Sequence, residues 1–413
     1  MNELLKYIKI KNNELKFKLS DIIQIAATPK KERVFYLLNK LVGNHLEVKP
    51  NKIKAVGHIL ASLVYKGKID TNILSEYIKE NLNNDDVIEK ELSKYIEPQE
   101  KVFVLGLAKS ATAIGMATAE AIKDSYYLST VRETPMNMKY LFDFEENHTL
   151  LTTHRCYLKE VSELEEANHI IIVEDEITTG NTIINLIDKI SQFSNAKKIS
   201  IVTILNFSNK HFTKKLMKIG DKLNIQIKVH EILKGKLRYE KLNKKTVELA
   251  ENNINNIDVI KETTSIKNIN KYNKIIIKTN NIEHEMMEKS GCFGVSFNEI
   301  QEIEVKAKEI AEIINSNHKK VLVISYGENM YVPSRIAYYI NKNADFKCIT
   351  RNRILAKNKQ YYPIEQCTAF NIDGIEYYLY NKNKIEKEYE KVYFIVDRDI
   401  NVKLTNNTEI IKI

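Results

Sequence analysis

Residues 170–182 read Ile-Ile-Ile-Val-Glu-Asp-Glu-Ile-Thr-Thr-Gly-Asn-Thr, and no other stretch carries as much chemistry. Ile170 to Val173 is a run of four apolar residues, the pattern of a parallel strand buried on both faces. Three acids follow, Glu174, Asp175 and Glu176. Then Thr178, Thr179, Gly180, Asn181 and Thr182 lead into Ile183 to Ile190, whose apolar spacing predicts a helix. A strand, a short polar turn and a helix start make an anion site, because N–H groups, hydroxyls and the positive end of the helix dipole converge there. Acids just ahead of that site cannot hold the phosphate, but they can accept hydrogen bonds from sugar hydroxyls. The ligand implied is a sugar phosphate; a strand-to-helix turn with threonine caps is the plainer alternative.

A second strand-loop-helix unit lies upstream. The predicted strand Val102 to Leu105 runs into Gly106-Leu-Ala-Lys-Ser110, and a helix rich in small residues follows, Ala111 to Ile122. N–H groups of Ala108, Lys109 and Ser110 can face phosphate oxygens, and Lys109 adds a point charge; a solvated loop lysine is the alternative. A short strand, Tyr126 to Thr130, leads into Arg132, which suits either an anion or a surface ion pair. Residues 133–153 are polar and irregular, with Glu145, Glu146 and His148 inside, and Arg155 to Leu158 reads as a returning strand. His148 and His154 can move protons near neutral pH, or can be surface histidines.

The elements that must position these residues suit an α/β fold with a mostly parallel sheet flanked by helices, in which ligands sit at the carboxyl ends of strands. Four regions are expected. Residues 1–98 form an N-terminal helical region, with Leu19 to His45 helical around the turn Thr28-Pro29. Residues 99–250 form the α/β domain just described. Residues 251–290, rich in Asn, Ile and Lys, form a connecting region. Residues 291–413 form a second, smaller α/β domain, with predicted strands Val321 to Ser325, Phe346 to Thr350 and Val392 to Val396. The two α/β domains share a layout: Val104 to Arg132 and Val323 to Arg351 are both 28 positions apart (132 − 104 and 351 − 323). The second domain is therefore expected to be a degenerate copy, without Thr-Thr-Gly-x-Thr after Asp397. Its Glu328, Arg335, Thr350, Arg351 and Arg353 fall near predicted strand ends and form a possible second site; a packing and dimerisation role is the alternative.

The chain's 413 residues, 43% hydrophobic and 28% charged, can build two or three cored domains. The net charge of +9 is spread thinly over 63 basic and 54 acidic residues, which disfavours nucleic-acid binding and fits a compositional bias or small phosphorylated substrates. The four cysteines form no Cys-x-x-Cys pair. No signal-type segment and no apolar run of the roughly 20 residues of a membrane helix is present, and a cytoplasmic protein is expected.

The Glu174–Thr182 segment resembles the phosphoribosyl pyrophosphate (PRPP) motif of type I phosphoribosyltransferases, with Glu176 standing where that family is usually apolar. Gly106-Leu-Ala-Lys-Ser-Ala-Thr-Ala-Ile-Gly115, Phe144-Glu-Glu-Asn-His148 through His154-Arg155, and this motif occur in the order seen in the phosphoribosyltransferase of bacterial tellurite-resistance and stress-response gene clusters. That family has a C-terminal domain named for a Thr-Arg-Ser-Pro (TRSP) signature; here the segment reads Thr350-Arg351-Asn352-Arg353, so it departs at its last two positions. Ala26 to Val48, with Gly43-Asn44-His45, also resembles the family.

The resemblance implies a transfer of the phosphoribosyl group with release of pyrophosphate, to a nitrogenous base or base-like acceptor. It implies that Glu174 and Asp175 hold the ribose hydroxyls, and contact Mg²⁺ only through Mg-PRPP; that Thr178, Thr179, Gly180, Asn181 and Thr182 hold the 5-phosphate; and that Ala108, Lys109, Ser110 and Arg132 hold pyrophosphate. Glu174, Asp175, His148 and Arg132 are the expected catalytic residues, with Glu145, Glu146, His154 and Arg155 on a lid that shields the ribose from water. Purine-salvage members commonly carry an acid where Thr178 stands, which leans away from a 6-oxopurine acceptor. A homodimer is the expected assembly. Two other readings use the same residues: a PRPP-sensing regulator without chemistry, and a hydrolase or phosphorylase acting on the glycosidic bond of nucleotide-like substrates.

Overall fold

The buried run Ile170–Val173 lies in the middle strand of a seven-stranded sheet, whose order is Ile8–Asn12, Gln226–Leu237, Lys198–Asn206, His169–Ile177, Val102–Gly106, Tyr126–Ser129 and Val295–Ser296. The five central strands are parallel and the two edge strands antiparallel. This computed structural model describes residues 3–29, 33–136, 138–145, 153–250, 258–279, 282–358 and 360–413. Continuous apolar runs form the central strands because helices cover both faces of such a sheet. The helix Thr112–Glu120 is buried along its whole length, and Pro50–Val64 crosses it so closely that a Cβ on Gly57 would lie 2.4 Å from the Ala117 Cβ.

The C-terminal half builds a five-stranded parallel sheet in the order Ile266–Asn268, Thr408–Lys412, Lys391–Val396, Val321–Ser325 and Asp345–Cys348. Its last four chain segments stand in the spatial order second, first, third, fourth. The strands 102–106, 126–129, 169–177 and 198–206 of the larger sheet take that same order. Buried side chains of both halves, Ile114 and Met116 with Ile300, Val323 and Tyr331 among them, belong to one continuous apolar cluster. Among the described residues no helix is long and apolar enough to cross a membrane, and all four cysteines are free and buried.

Two expectations need correction. Residues 19–45 are not helical beyond Leu19–Ile22; Ile23–Ala27 and Phe35–Asn39 pair as an antiparallel hairpin, Ala26 opposite Tyr36. Ile8–Asn12, also read as helical, is an edge strand. The two hairpin runs are short, apolar and split by Thr28-Pro29, a length that suits strands better than a helix. The helical reading does hold from Pro50, with helices Pro50–Val64, Thr71–Ile78 and Asp85–Leu92. Residues 251–290 do more than connect: Ile266–Asn268 joins the C-terminal sheet, and Lys274–Thr279 with Ile282–Met287 forms a hairpin whose first strand also pairs with Thr134–Pro135.

The hairpin and the following segment are held from the C-terminal half. Val48 and Phe346 exchange N–H···O bonds of 2.9 Å, and the Cys348 N–H donates to the Gly43 carbonyl. The Ala27 N–H donates to Tyr362 Oη at 2.8 Å.

Candidate active site

The strand His169–Ile177 outruns one of its neighbours. It stays paired with Lys198–Asn206 as far as Ile177, but with Val102–Gly106 only as far as Val173. Beyond Val173 the neighbouring chain turns into the loop 107–111, and the sheet splits there between that loop and the acids. Glu174, Asp175 and Glu176 lie half-buried on the end of the strand itself, at the rim of the sheet.

The hairpin supplies partners that sequence reasoning missed. Arg33 Nη2 donates to Glu176 Oε1 at 2.9 Å and its guanidinium lies over the Phe35 ring. The acid at the usually apolar position thus has its charge answered. Asn39, whose Oδ1 accepts from the Leu41 N–H at 3.0 Å, keeps a buried Nδ2 near Asp175 with no acceptor among the described residues. Burial pushes the Asp175 carboxyl from 3.8 up to about 6, with the neighbouring Glu174 side chain opposing and the Glu176 charge adding. Tyr36 sits in the same surroundings: burial first, then the Asp175 charge, holds its phenol protonated far above the usual range.

The turn after the acids is set by Gly180, at φ +75°, where a Cβ would come within 2.3 Å of the Phe212 ring. Gly180 caps the ten-residue helix Asn181–Ile190, which buries Ile183, Leu186, Ile187 and Ile190 and starts directly at the turn. Thr178, Asn181 and Thr182 are half-buried and Thr179 is exposed; the Asn181 N–H donates to Thr179 Oγ1 at 3.4 Å.

Across the split, the Ala108 N–H donates to Thr130 Oγ1 at 2.8 Å, and Arg132 Nη2 donates to the Ala108 carbonyl at 3.2 Å. The Ala108–Lys109 peptide is cis. The N–H groups of Lys109 and Ser110 donate to no acceptor among the described residues. Lys109 is not a solvated lysine: its Nζ donates to the Ile349 carbonyl of the C-terminal half. Asn44 Nδ2 donates to Ser110 Oγ at 3.0 Å, and the Asn44 Oδ1 is buried without a partner. His45 is buried beside the rings of Tyr36 and Tyr380, at 4.7 and 6.2 Å, and its Nε2 has no partner. Burial, then the charges of Lys109 and Lys347, pushes His45 down to about 3, so its ring is neutral.

The expected lid residues are dispersed. Glu146 and His148 lie outside the described residues. Glu145 ends the strand Phe142–Glu145, which pairs with Thr153–Cys156, and its carbonyl accepts from Asn185 Nδ2 at 3.2 Å. His154 is not a loop histidine: it is 1% exposed, stacked on Phe144 and bonded through Nδ1 to Thr130 Oγ1 at 2.8 Å. Arg155 bonds with Val131 through its backbone.

The residues expected as a second site separate as well. Glu328 and Arg351 come together, and Arg351 Nη2 donates to Glu133 Oε1, one residue beyond Arg132, at 2.9 Å. Thr350 Oγ1 accepts from the Asn352 N–H at 3.1 Å, and Arg353 lies by Cys367 and Tyr378. Arg335 is buried elsewhere, paired with Glu304 at 2.6 Å.

Arg33, Tyr36, Asn39 and Glu133 gave no signal in the sequence, since their partners are far along the chain. For Asn44 and His45 the signal was a polar pair closing an apolar segment.

The profile of a family described as phosphoribosyl transferase matches residues 22–236, and that of a TRSP domain, C-terminal to that transferase, matches residues 289–413. No curated protein matches the chain. Among solved structures, adenine phosphoribosyltransferase from Trypanosoma brucei, in complex with AMP, pyrophosphate and ribose-5-phosphate, is 10% identical at a TM-score of 0.34, over 54% of this chain and 80% of that one. The enzyme of the same name from Thermoanaerobacter pseudethanolicus is 13% identical at 0.31, over 52% and 99%. That from Giardia lamblia, complexed with 9-deazaadenine, is 12% identical at 0.29, over 52% and 98%. Likeness of that degree bears on neither substrate nor mechanism.

Proposed function

The chain belongs to the phosphoribosyltransferase family, with a TRSP domain at its C terminus, and on that premise we propose that it transfers the 5-phosphoribosyl group of PRPP to a base-like acceptor and releases pyrophosphate. One observation carries the reading: an acid-bearing strand that outruns its neighbour and passes directly into a Gly180 turn at a helix N-terminus. The strand rim suits hydroxyls and the turn suits a phosphate.

In this reading Thr178 to Thr182 anchor the 5-phosphate through hydroxyls and N–H groups. Glu174 and Asp175 accept the ribose hydroxyls. Their negative charge also favours the oxocarbenium character that develops at C1 as the leaving group departs. Lys109, Arg132 and the N–H groups of Lys109 and Ser110 neutralise the departing pyrophosphate, with Ala108 holding Arg132 in place. His148 and Glu146 stay assigned to the covering segment between the two strands of the 142–156 hairpin; His154 no longer does.

A magnesium ion fits here as a guest of the substrate. Among the described residues no three ligating side chains converge on one point, while Asp175 holds a carboxyl whose charge burial disfavours until a cation arrives. Glu174 and Asp175 would hold it indirectly, through Mg-PRPP, and it would supply charge neutralisation for the leaving pyrophosphate.

The acceptor side follows from the unpartnered atoms. A neutral His45 ring with a free Nε2, the Asn44 Oδ1 and the Tyr36 ring lie between the acids and the pyrophosphate loop. That combination suits a planar heterocycle with both donor and acceptor edges.

The test is calorimetric titration of the full chain with Mg-PRPP, alongside a pyrophosphate-release assay over a panel of bases. Saturable binding is expected in the wild type, and its abolition in the Glu174→Ala/Asp175→Ala double variant. Unchanged affinity in that variant refutes the site.

A further inference from the structure

The carboxyl ends of the two parallel sheets face one another. Loops 326–329, 349–353 and 397–399 of the C-terminal sheet meet the segment 130–133 of the larger one, and Arg351 binds Glu133 across the junction. Carboxyl ends are where parallel sheets bind ligands, and this junction contains buried polar atoms the fold does not satisfy. Glu328 is 4% exposed, yet its carboxylate accepts no hydrogen bond among the described residues. It lies close to Glu133, Arg351, Tyr377 and Cys292. Ser325 Oγ and Asn329 Oδ1, on the same strand end and loop, are buried without partners. Arg398 lies over the Tyr326 ring and makes only long ion pairs, 3.5 Å to Asp373 and 3.8 Å to Glu133; its Nε has no acceptor. Between these groups, the Cα of Gly327 (φ +65°) faces open space, with no atom within 4 Å of where a Cβ would stand.

A buried polar atom without a partner is costly in a folded protein, and orphaned donors and acceptors gathered in one place are the mark of a ligand site. The charges decide the ligand class. Two guanidinium groups disfavour a cation, and Glu133, Glu328, Asp373 and Asp397 disfavour an anion. What remains is an uncharged molecule whose groups both donate and accept, that is, hydroxyls.

We propose that this junction is a second binding site, in which Glu328 and Glu133 accept hydrogen bonds from the vicinal hydroxyls of an uncharged ribosyl ring, and Arg398, Ser325 and Asn329 complete its hydrogen bonding. The choice of ribose among polyols rests on the phosphoribosyl reading of the neighbouring site; the need for an uncharged hydroxyl-bearing ligand does not. Arg351 positions Glu133 from the far side, through Tyr377 and its 2.9 Å bond to the carboxylate.

The test uses the full chain carrying Glu174→Ala and Asp175→Ala, which disables the first site, titrated in the millimolar range with D-ribose, adenosine, uridine and 2′-deoxyadenosine. Saturable binding of one equivalent is expected for the ribosyl compounds. A loss of about tenfold or more is expected with 2′-deoxyadenosine and with added Glu328→Gln. Binding of free ribose identifies the sugar alone as the ligand, and binding of nucleosides only shows that the base adds to it; both support the site. Should Glu328→Gln fail to fold, Arg398→Lys and the deoxy arm decide the same question. No saturable binding by any of the four compounds overturns the proposal, as does equal affinity for adenosine and its 2′-deoxy form. Because these titrations omit PRPP, they fail or succeed independently of the Mg-PRPP titration.

Discussion

Replacing Asp175 by Asn should stabilise the ligand-free protein while removing its ability to hold Mg-PRPP, and the gain should depend on pH. In the unfolded chain the carboxyl ionises around 3.8, and in the fold burial raises this to about 6. An acid whose folded value is raised opposes folding once ionised. The cost is absent below 3.8, grows between 3.8 and about 6, and is complete above that. At 1.36 kcal/mol per pH unit the full cost is about 3 kcal/mol, falling to about 1.5 kcal/mol at pH 5. Asp175 is half-buried rather than sealed, so solvent screening brings the expected gain at pH 8 to about 1–2 kcal/mol. The assay is urea unfolding of wild type and Asp175→Asn without ligand at pH 5 and pH 8, repeated at pH 8 with Mg-PRPP. The variant should be the more stable protein without ligand, most clearly at pH 8, and the less stable one with saturating Mg-PRPP, since only the wild type gains binding energy. Equal gains at both pH values, or a loss at pH 8, would show that the carboxyl is not strained by burial and refute the reasoning.

Two further perturbations test the scaffold. Gly180→Ala places a side chain in the left-handed region and drives its Cβ to 2.3 Å from the Phe212 ring; strain of about 1–2 kcal/mol plus overpacking of about 1–3 kcal/mol should lower the melting temperature and weaken PRPP binding together, and wild-type values in both measurements contradict the turn geometry. Arg351→Ala leaves the buried Glu133 carboxylate beside Glu328 without its closest cation; a loss on the order of 1–3 kcal/mol in urea unfolding is expected, because Arg351 is itself partly exposed, and Glu133→Gln added to it should restore more than half, so absence of any recovery argues against the pair.

The acid motif and the central strands of both sheets were legible because a strand buried on both faces is written as a continuous apolar run, and Val102–Gly106, His169–Ile177, Val321–Ser325 and Lys391–Val396 each contain such a run. The hairpin of residues 23–39 was not legible: short apolar runs such as Ile22-Ile23 and Val34-Phe35 carry no period long enough to separate strand from helix. His154 was misplaced for a related reason. Its neighbours are polar, but the Phe144 ring that buries it arrives from across a hairpin. The pairs that complete the site, Arg33 with Glu176 and Arg351 with Glu133, bridge 143 and 218 positions, and no local pattern reports contacts of that span. Lys109 illustrates the limit most plainly, since its loop identified it as a candidate cation while only the fold shows it tied to Ile349.

The bridge between Val48 and Phe346 spans 346 − 48 = 298 positions. A ribosome adding about 5–20 residues per second completes Val48 some 15–60 seconds before Phe346 leaves it. Through that interval Ala26, Leu38 and Val48 have been synthesised without the surface that later covers them. The nascent chain must therefore present greasy segments to the cell for most of its own translation, so shortened products ending before the second half should be caught by chaperones or proteases rather than survive as a working fragment.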